Sequence, residues 1–299
     1  MSSPEFVDRF WRSRDGLTLH ARDYLAAPGP ARLPVICIHG LTRNARDFED
    51  LAPWLAQRGH RVFAVDVRGR GLSQYDPVPE NYNPTTYARD ILTLFDELGI
   101  GRAIFIGTSM GGLITLIVAG QRLGCIAGAI LNDVGPEVSR QGLDRIMSYA
   151  GKSGAISDWP GAVDYVKQVM GAAFPSLPES RWPILAARTF SPNEEGRPCL
   201  DYDRAIVRQF GGKPPSRRSI IGWLLFPRLA RRRPTLLLRG GVSDLLSPEI
   251  AAKMCRMAPQ MEFAEVPGGG HAPLLDEPEA LEIIQDFLGR FAPSVDEGS

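Results

Sequence analysis

Ser109, His271 and two aspartates, Asp244 and Asp133, are the residues whose types and order could cut an acyl bond. Ser109 sits in Gly107-Thr108-Ser109-Met110-Gly111, which fits Gly-x-Ser-x-Gly. Ala103-Ile104-Phe105-Ile106 before it reads as a strand buried on both faces, and Leu113 to Ala119 after it as a helix. Strand, turn and helix form the context in which this pattern presents a nucleophile. So tight a turn demands positive φ at the serine, and side chains two residues to either side would collide, which leaves Gly107 and Gly111 to be glycines. A serine hydroxyl is a weak nucleophile until a base takes its proton, and the base needs a carboxylate to orient it. Of the four histidines, His20, His39, His60 and His271, only His271 follows Ser109, at the end of Gly268-Gly269-Gly270. The order serine, acid, histidine is the one expected for this elbow. Asp244, which ends Gly240-Gly241-Val242-Ser243, is the expected acid. Asp133 is its rival, read otherwise as a cap for the loop that leaves the sheet. The oxyanion of a tetrahedral intermediate needs two preorganised N–H donors, expected from the backbones of Met110 and Leu41. His39 is expected to brace the Leu41 loop by hydrogen bonding, and Arg68 to belong to a structural loop beside the site.

The elements that must position these residues follow from periodicity. Phe6 to Ser13 and Leu17 to Tyr24 flank Arg14-Asp15-Gly16, a hairpin signal. His20 falls on the polar side of the second strand's alternation and reads as a surface residue. Val35 to Ile38, Arg61 to Asp66, Ile126 to Leu131, Thr235 to Arg239 and Met261 to Val266 read as further strands. Asp47 to Arg58, Thr85 to Leu98, Pro248 to Met257 and Pro278 to Phe291 read as helices between them. This alternation predicts an α/β fold, a mostly parallel, doubly wound sheet. It stops at about Gly135 and resumes after Arg233. The stretch 135–233 is Pro- and aromatic-rich without a strong strand, and reads as a helical cap insertion on a core of residues 1–134 and 234–299. Trp159, Trp182 and Trp223 are its largest apolar surfaces available to wall a pocket, and Gly151, Gly154, Gly161 and Pro175 are candidate hinges. Arg228-Leu229-Ala230-Arg231-Arg232-Arg233 reads as a solvated connection back to the core.

Composition excludes several classes. Lys+Arg and Asp+Glu are equal at 34, so no global basic field recruits nucleic acid. No apolar run approaches the ~18 residues of a membrane span. Met1 to Glu5 lacks a basic region leading into an apolar one, so no signal peptide is visible. Cys37, Cys125, Cys199 and Cys255 lack metal-type spacing, and Cys37 and Cys125 lie in or beside apolar runs, which points to buried thiols and a reducing, cytoplasmic setting. No metal, nucleotide or other cofactor pattern is present. The tail from Pro293 is small and acidic and reads as frayed.

By these residues the chain resembles the α/β-hydrolase superfamily. The matching pieces are His39-Gly40, Asp66-x-Arg68-Gly69-x-Gly71-x-Ser73, Gly107 to Gly112, Asp244 and Gly270-His271. They span nearly the whole core and leave the insertion unmatched. The departures narrow the choice. Epoxide hydrolases and haloalkane dehalogenases of this superfamily carry Asp as nucleophile, where this chain has Ser109. The His-Gly-Gly-Gly loop of one esterase branch is missing, since Leu41 follows Gly40. The His-Gly-Gly-Pro-Gly of proline iminopeptidases is absent too. Hydrolases of ring-cleavage products, which cut carbon–carbon bonds, usually carry Trp after the catalytic histidine, and here it is Ala272. The expectation is a serine hydrolase, monomeric or homodimeric, acting on a small to medium apolar ester, lactone or thioester through an acyl-enzyme. Carbon–carbon hydrolysis with the same triad and a non-enzymatic ligand-binding role are the alternatives.

Overall fold

The computed structural model describes residues 6–152, 156–210 and 220–291. The start Met1 to Glu5, the hinge candidate Gly154 and the tail from Pro293 lie outside the described residues. In chain order the strands are β1 (Phe6–Arg12), β2 (Thr18–Tyr24), β3 (Val35–Ile38), β4 (Val62–Asp66), β5 (Ala103–Thr108), β6 (Ile126–Asn132), β7 (Phe190–Pro192), β8 (Pro198–Leu200), β9 (Thr235–Gly240) and β10 (Glu262–Val266). The helices are α1 (Leu51–Gln57), α2 (Pro84–Leu98), α3 (Met110–Arg122), α4 (Arg140–Tyr149), α5 (Trp159–Met170), α6 (Trp182–Thr189), α7 (Ile220–Ala230), α8 (Pro248–Met257) and α9 (Pro278–Gly289). Eight strands form one sheet in the order β1-β2-β4-β3-β5-β6-β9-β10, and β7 pairs with β8 apart from it. β1, β2 and β4 run antiparallel to their neighbours along the hairpin edge, and every pairing from β4 through β3, β5, β6, β9 and β10 is parallel.

The sheet is covered on both faces. Leu51, Leu55, Ile284 and Phe287 of α1 and α9 pack on one side, and Tyr87, Ile91, Phe95, Ile114 and Val118 of α2 and α3 on the other. That burial explains why β3 and β5 alternate nothing and are apolar on both faces. Helix ends follow local chemistry. Asn83 accepts a hydrogen bond from Thr86 N ahead of Pro84, and Gly99 closes α2 at φ 64°. The single helix expected over Asp47 to Arg58 is instead a 3₁₀ turn, Ala45–Phe48, followed by α1. Pro53 supplies the reason, because in a continuous helix its ring would strike the carbonyl of Glu49.

One surface expectation fails for a packing reason. His20 is buried, with Nδ1 2.7 Å from Asp66 Oδ2 and Nε2 2.8 Å from Asp8 Oδ1. β2 lies inside the sheet between β1 and β4, so its polar positions meet neighbours rather than water. Burial depresses the imidazole's basicity, but the two carboxylates outweigh it and hold the pKa above its ordinary value. In the basic stretch Arg228, Arg231 and Arg232 are exposed, as expected of a solvated connection, and several of its arginines have carbonyl partners. Arg228, Arg231 and Arg233 donate to the backbone oxygens of Ala119, Met257 and Ile126 at 3.1, 2.8 and 2.6 Å.

Between β6 and β9 the chain leaves the sheet. Ala162, Val166, Trp182, Leu185, Ala186 and Phe190 form a small core of their own, separate from the two faces of the sheet. α7 behaves differently. Its Phe226, Leu229 and Ala230 join the core over α3, and Leu225 sits against Gly120. Among the described residues, no helix is long and apolar enough to cross a membrane.

Candidate active site

The turn between β5 and α3 has the shape that its sequence requires. Ser109 adopts φ 51° and ψ −116°, and its N–H donates to Asn132 O at 3.0 Å. A Cβ on Gly107 would lie 2.5 Å from the Gly111 carbonyl carbon, and one on Gly111 would lie 2.0 Å from Ile38 O. Neither position has room for any side chain. The strain at Ser109 is held by the sheet on one side and by the first turn of α3 on the other, and it lifts the hydroxyl out of the sheet's edge.

His271 Nε2 lies 2.9 Å from Ser109 Oγ, and Nδ1 lies 2.7 Å from Asp133 Oδ2. An ionised carboxylate only accepts, so Nδ1 carries the proton and Nε2 presents a lone pair to the serine hydroxyl. Asp133 is fully buried, and its other bonds come from Gly240 N to Oδ1 at 3.0 Å and from Ser243 Oγ to Oδ2 at 2.6 Å. It too takes a left-handed backbone, at φ 55°, a conformation that aspartate tolerates better than most residues.

Asp244, the expected acid, does not hold that place. Its carboxylate is bound by Arg145, with Nε 2.5 Å from Oδ2 and Nη2 2.8 Å from Oδ1. Sheet order sets which aspartate reaches His271. Asp133 directly follows β6, the strand beside the one that leads to Ser109, whereas Asp244 lies four positions beyond β9. The intervening loop spends Ser243, not Asp244, on the buried cluster.

The loop after β3 lies against the serine, with an ideal Cβ on Gly40 3.8 Å from Ser109 Cβ. His39 Nδ1 donates to Gly40 O at 2.7 Å, and Nε2 accepts from Val67 N at 3.1 Å. A trans peptide points its carbonyl and N–H in opposite directions. Fastening the Gly40 carbonyl therefore aims the Leu41 N–H the other way. Burial keeps His39 neutral by drawing its pKa down to about 4. The next carbonyl, Leu41 O, accepts from Arg70 Nε at 3.1 Å. Met110 opens α3, where the first N–H groups lack intrahelical partners and the dipole's positive end favours negative charge. Arg68 is the hub of a separate ion-pair cluster with Asp15, Asp76 and Asp90.

Three contributors escape the sequence patterns. Arg70 holds the Leu41 peptide from a fully buried position. Asn132 Nδ2 donates to Pro273 O at 2.9 Å and Thr108 Oγ1 at 3.1 Å, tying the histidine loop to the end of β5. Ser243 supports Asp133. Of these, only Asn132, beside Asp133 at the end of an apolar strand, carries a signal that sequence alone could have raised.

Ser109 and His271 open on a pocket whose walls come from α4, α5 and α6 as well as the core loops. Ile146, Tyr149, Tyr165, Val166, Val169 and Leu185 supply much of the apolar wall. The expected tryptophans do not line it. Trp182 is buried in the small core, Trp223 packs edge-on against Phe226, and Trp159 begins α5 partly exposed. Among the described residues no three His, Cys, Asp or Glu side chains are placed to hold a metal ion.

Comparison with known proteins identifies the family. Residues 35–282 match a family model described as the alpha/beta hydrolase family. A 3-hydroxybutyrate-oligomer hydrolase of Cupriavidus necator is 32% identical over 278 residues, covering 90% of this chain and 93% of the relative. A 2-(acetamidomethylene)succinate hydrolase of Mesorhizobium japonicum is 27% identical over 277 residues, 91% of this chain and 92% of that protein. Among solved structures, an alpha/beta hydrolase from Novosphingobium aromaticivorans superposes with a TM-score of 0.88 at 43% identity, covering 96% of this chain and 99% of that one.

Proposed function

The chain belongs to the alpha/beta hydrolase family, and on that premise we propose that it hydrolyses carboxylic esters through an acyl-enzyme on Ser109, with His271 as base and Asp133 as its orienting acid. The observation that carries this reading is the unbroken relay from Ser109 Oγ to His271 to Asp133, at 2.9 and 2.7 Å. His271 Nε2 takes the hydroxyl proton as Oγ bonds to the substrate carbonyl carbon. The oxyanion so formed rests against the N–H groups of Leu41 and Met110. Collapse breaks the ester C–O bond, and His271 returns the proton to the leaving alcohol. Water then adds to the acyl-enzyme with His271 again as base, which releases the acid and restores Ser109. Buried Asp133 keeps the proton on Nδ1 throughout and stabilises the transient imidazolium.

Two features support an ester in particular. One stretch of the pocket wall, Ile146, Val166, Val169 and Leu185, is apolar, as suits an acyl chain. One relative is named for cutting 3-hydroxybutyrate oligomers, and hydroxy-acid units join head to tail as esters. The helices α4 to α6 act as the cap that sets substrate choice.

Stopped-flow hydrolysis of p-nitrophenyl butyrate tests the proposal. The expected result is a burst of nitrophenol equal to the enzyme concentration, and a loss of about 10⁴–10⁶ in kcat for Ser109→Ala without loss of folding. Full activity in that variant would contradict the proposal.

A further inference from the structure

The pocket carries charge that hydrolysis of a plain ester does not need. Arg43, Arg145 and Arg188 contribute to its wall, against the single carboxylate of Asp47. Their other acidic partners, Asp244 for Arg145 and Glu49 and Asp50 for Arg188, are not among the residues that line it. Among the described residues the wall therefore carries more positive than negative charge.

Arg43 is committed, with Nε and Nη2 on Asp47 and Nη1 on Thr189 Oγ1. Arg145 differs. Asp244 occupies one edge of its guanidinium, through Nε and Nη2, Tyr149 is a further hydrogen-bond partner, and a guanidinium has five N–H donors in a planar fork. Donors thus remain for a ligand in the pocket that Arg145 lines. The Asp244 pair is not what fastens α4 to the loop after β9. Ser139 N bonds to Leu245 O at 2.7 Å, Ser139 Oγ donates to Asp244 O, and Gly142 packs directly on that loop. A half-buried ion pair adds little stability by itself, but it fixes the plane of a guanidinium as a bidentate receptor requires. Arg145 also borders a second cavity, which shares Tyr149, Tyr165 and Val169 with the first and whose wall includes Lys152. Positive charge thus lines both cavities, an arrangement that concentrates anions.

We propose that Arg145, held flat by Asp244, is a carboxylate-binding subsite, and that the preferred substrate is an ester bearing a free carboxylate remote from the scissile bond. A carboxylate presents two oxygens to the donors that remain on the fork. The inference rests on the ester-hydrolase reading and names the class of ester.

The test compares kcat/KM for isosteric pairs. Mono-p-nitrophenyl glutarate against p-nitrophenyl valerate places the charge on the acyl side. 3-Acetoxybutyrate against its primary amide places it on the alcohol side. One hydrogen-bonded charge predicts a preference of about 10- to 100-fold for the carboxylate in at least one pair. Arg145→Met should bring that ratio near one. The double variant Arg145→Met with Asp244→Asn, in which the Asp244 carboxylate no longer repels the anionic ester, should do the same, and far-UV circular dichroism reports in each case that the variant is folded. Raising the salt concentration should narrow the wild-type ratio. A wild-type ratio at or below one in both pairs, with neutral esters turned over, overturns the subsite and leaves the hydrolase reading standing. A preference that survives both variants also overturns it. Failure of every ester together with no phosphonate adduct on Ser109 would instead remove the hydrolase reading on which it rests.

Discussion

Asp133 and Asp244 are both aspartates in loops that follow strands, and their surroundings differ in a way that substitution can read. Asp133 gives its oxygens to His271, Ser243 and Gly240, so Asp133→Asn puts an amide where Nδ1–H needs an acceptor and favours the wrong tautomer. That change should lower kcat by about 10⁴. Asp244→Asn disturbs only the Arg145 pair and should lower kcat on a neutral ester by less than about tenfold. Steady-state kinetics of the two variants on p-nitrophenyl butyrate checks the ranking. His39 makes a second prediction. Its folded pKa of about 4 lies below the value of about 6.5 for an unfolded histidine, so as pH falls the unfolded chain takes up the proton first. The stability this provides is complete above about pH 6.5 and is lost as pH falls toward 4, by on the order of 3 kcal/mol. Urea midpoints followed over that window should fall more steeply for the wild type than for His39→Gln. The contribution of His20, which has the opposite sign, is common to both proteins and cancels in the comparison.

The strand–turn–helix around Ser109 shows how far local chemistry reaches at the scale of an element. Gly111 has a carbonyl oxygen in the place of any Cβ, whereas Gly120, one helix face away on α3, has only the end of Leu225 at 2.7 Å. Gly111→Ala should therefore cost about 3 kcal/mol or more, since backbone cannot move aside. Gly120→Ala should stay within about 1 kcal/mol of neutral, because the helix gain from alanine offsets a rotated leucine. Urea denaturation of the two variants checks the contrast. The same locality explains what the sequence disclosed. The hairpin of β1 and β2, the elbow and the glycine-rich approach to His271 depend on neighbours in the chain and are legible there. The aspartate that contacts His271 is not, because that contact depends on the order of strands, which brings β6 beside β5, while Asp244 pairs with Arg145 on a helix far upstream. His20 misled for the same reason, since its polar register meets Asp66 and Asp8 rather than water.

For the molecule as a whole, the sheet's loops hold Ser109 and His271, and helices α4 to α6 contribute to the pocket on which they open. Ion pairs stitch the two together, Arg188 to Asp50 and Glu49, Arg181 to Asp276, and Arg46 to Asp201. The tryptophans that drew notice in the sequence serve packing instead, and smaller side chains such as Val169 and Met170 shape the wall. Val169→Ala should therefore shift the ratio of kcat/KM between long and short p-nitrophenyl esters by up to about tenfold, through about one or two methyl groups' worth of pocket. A graded ester series reads that shift. The central claim, that Ser109 is the nucleophile of an acyl-enzyme, is tested most directly by treating the protein with a fluorophosphonate and mapping the adduct by peptide mass spectrometry. A single adduct on Ser109 is the predicted result, and an adduct on another residue, or none on an active preparation, would contradict it.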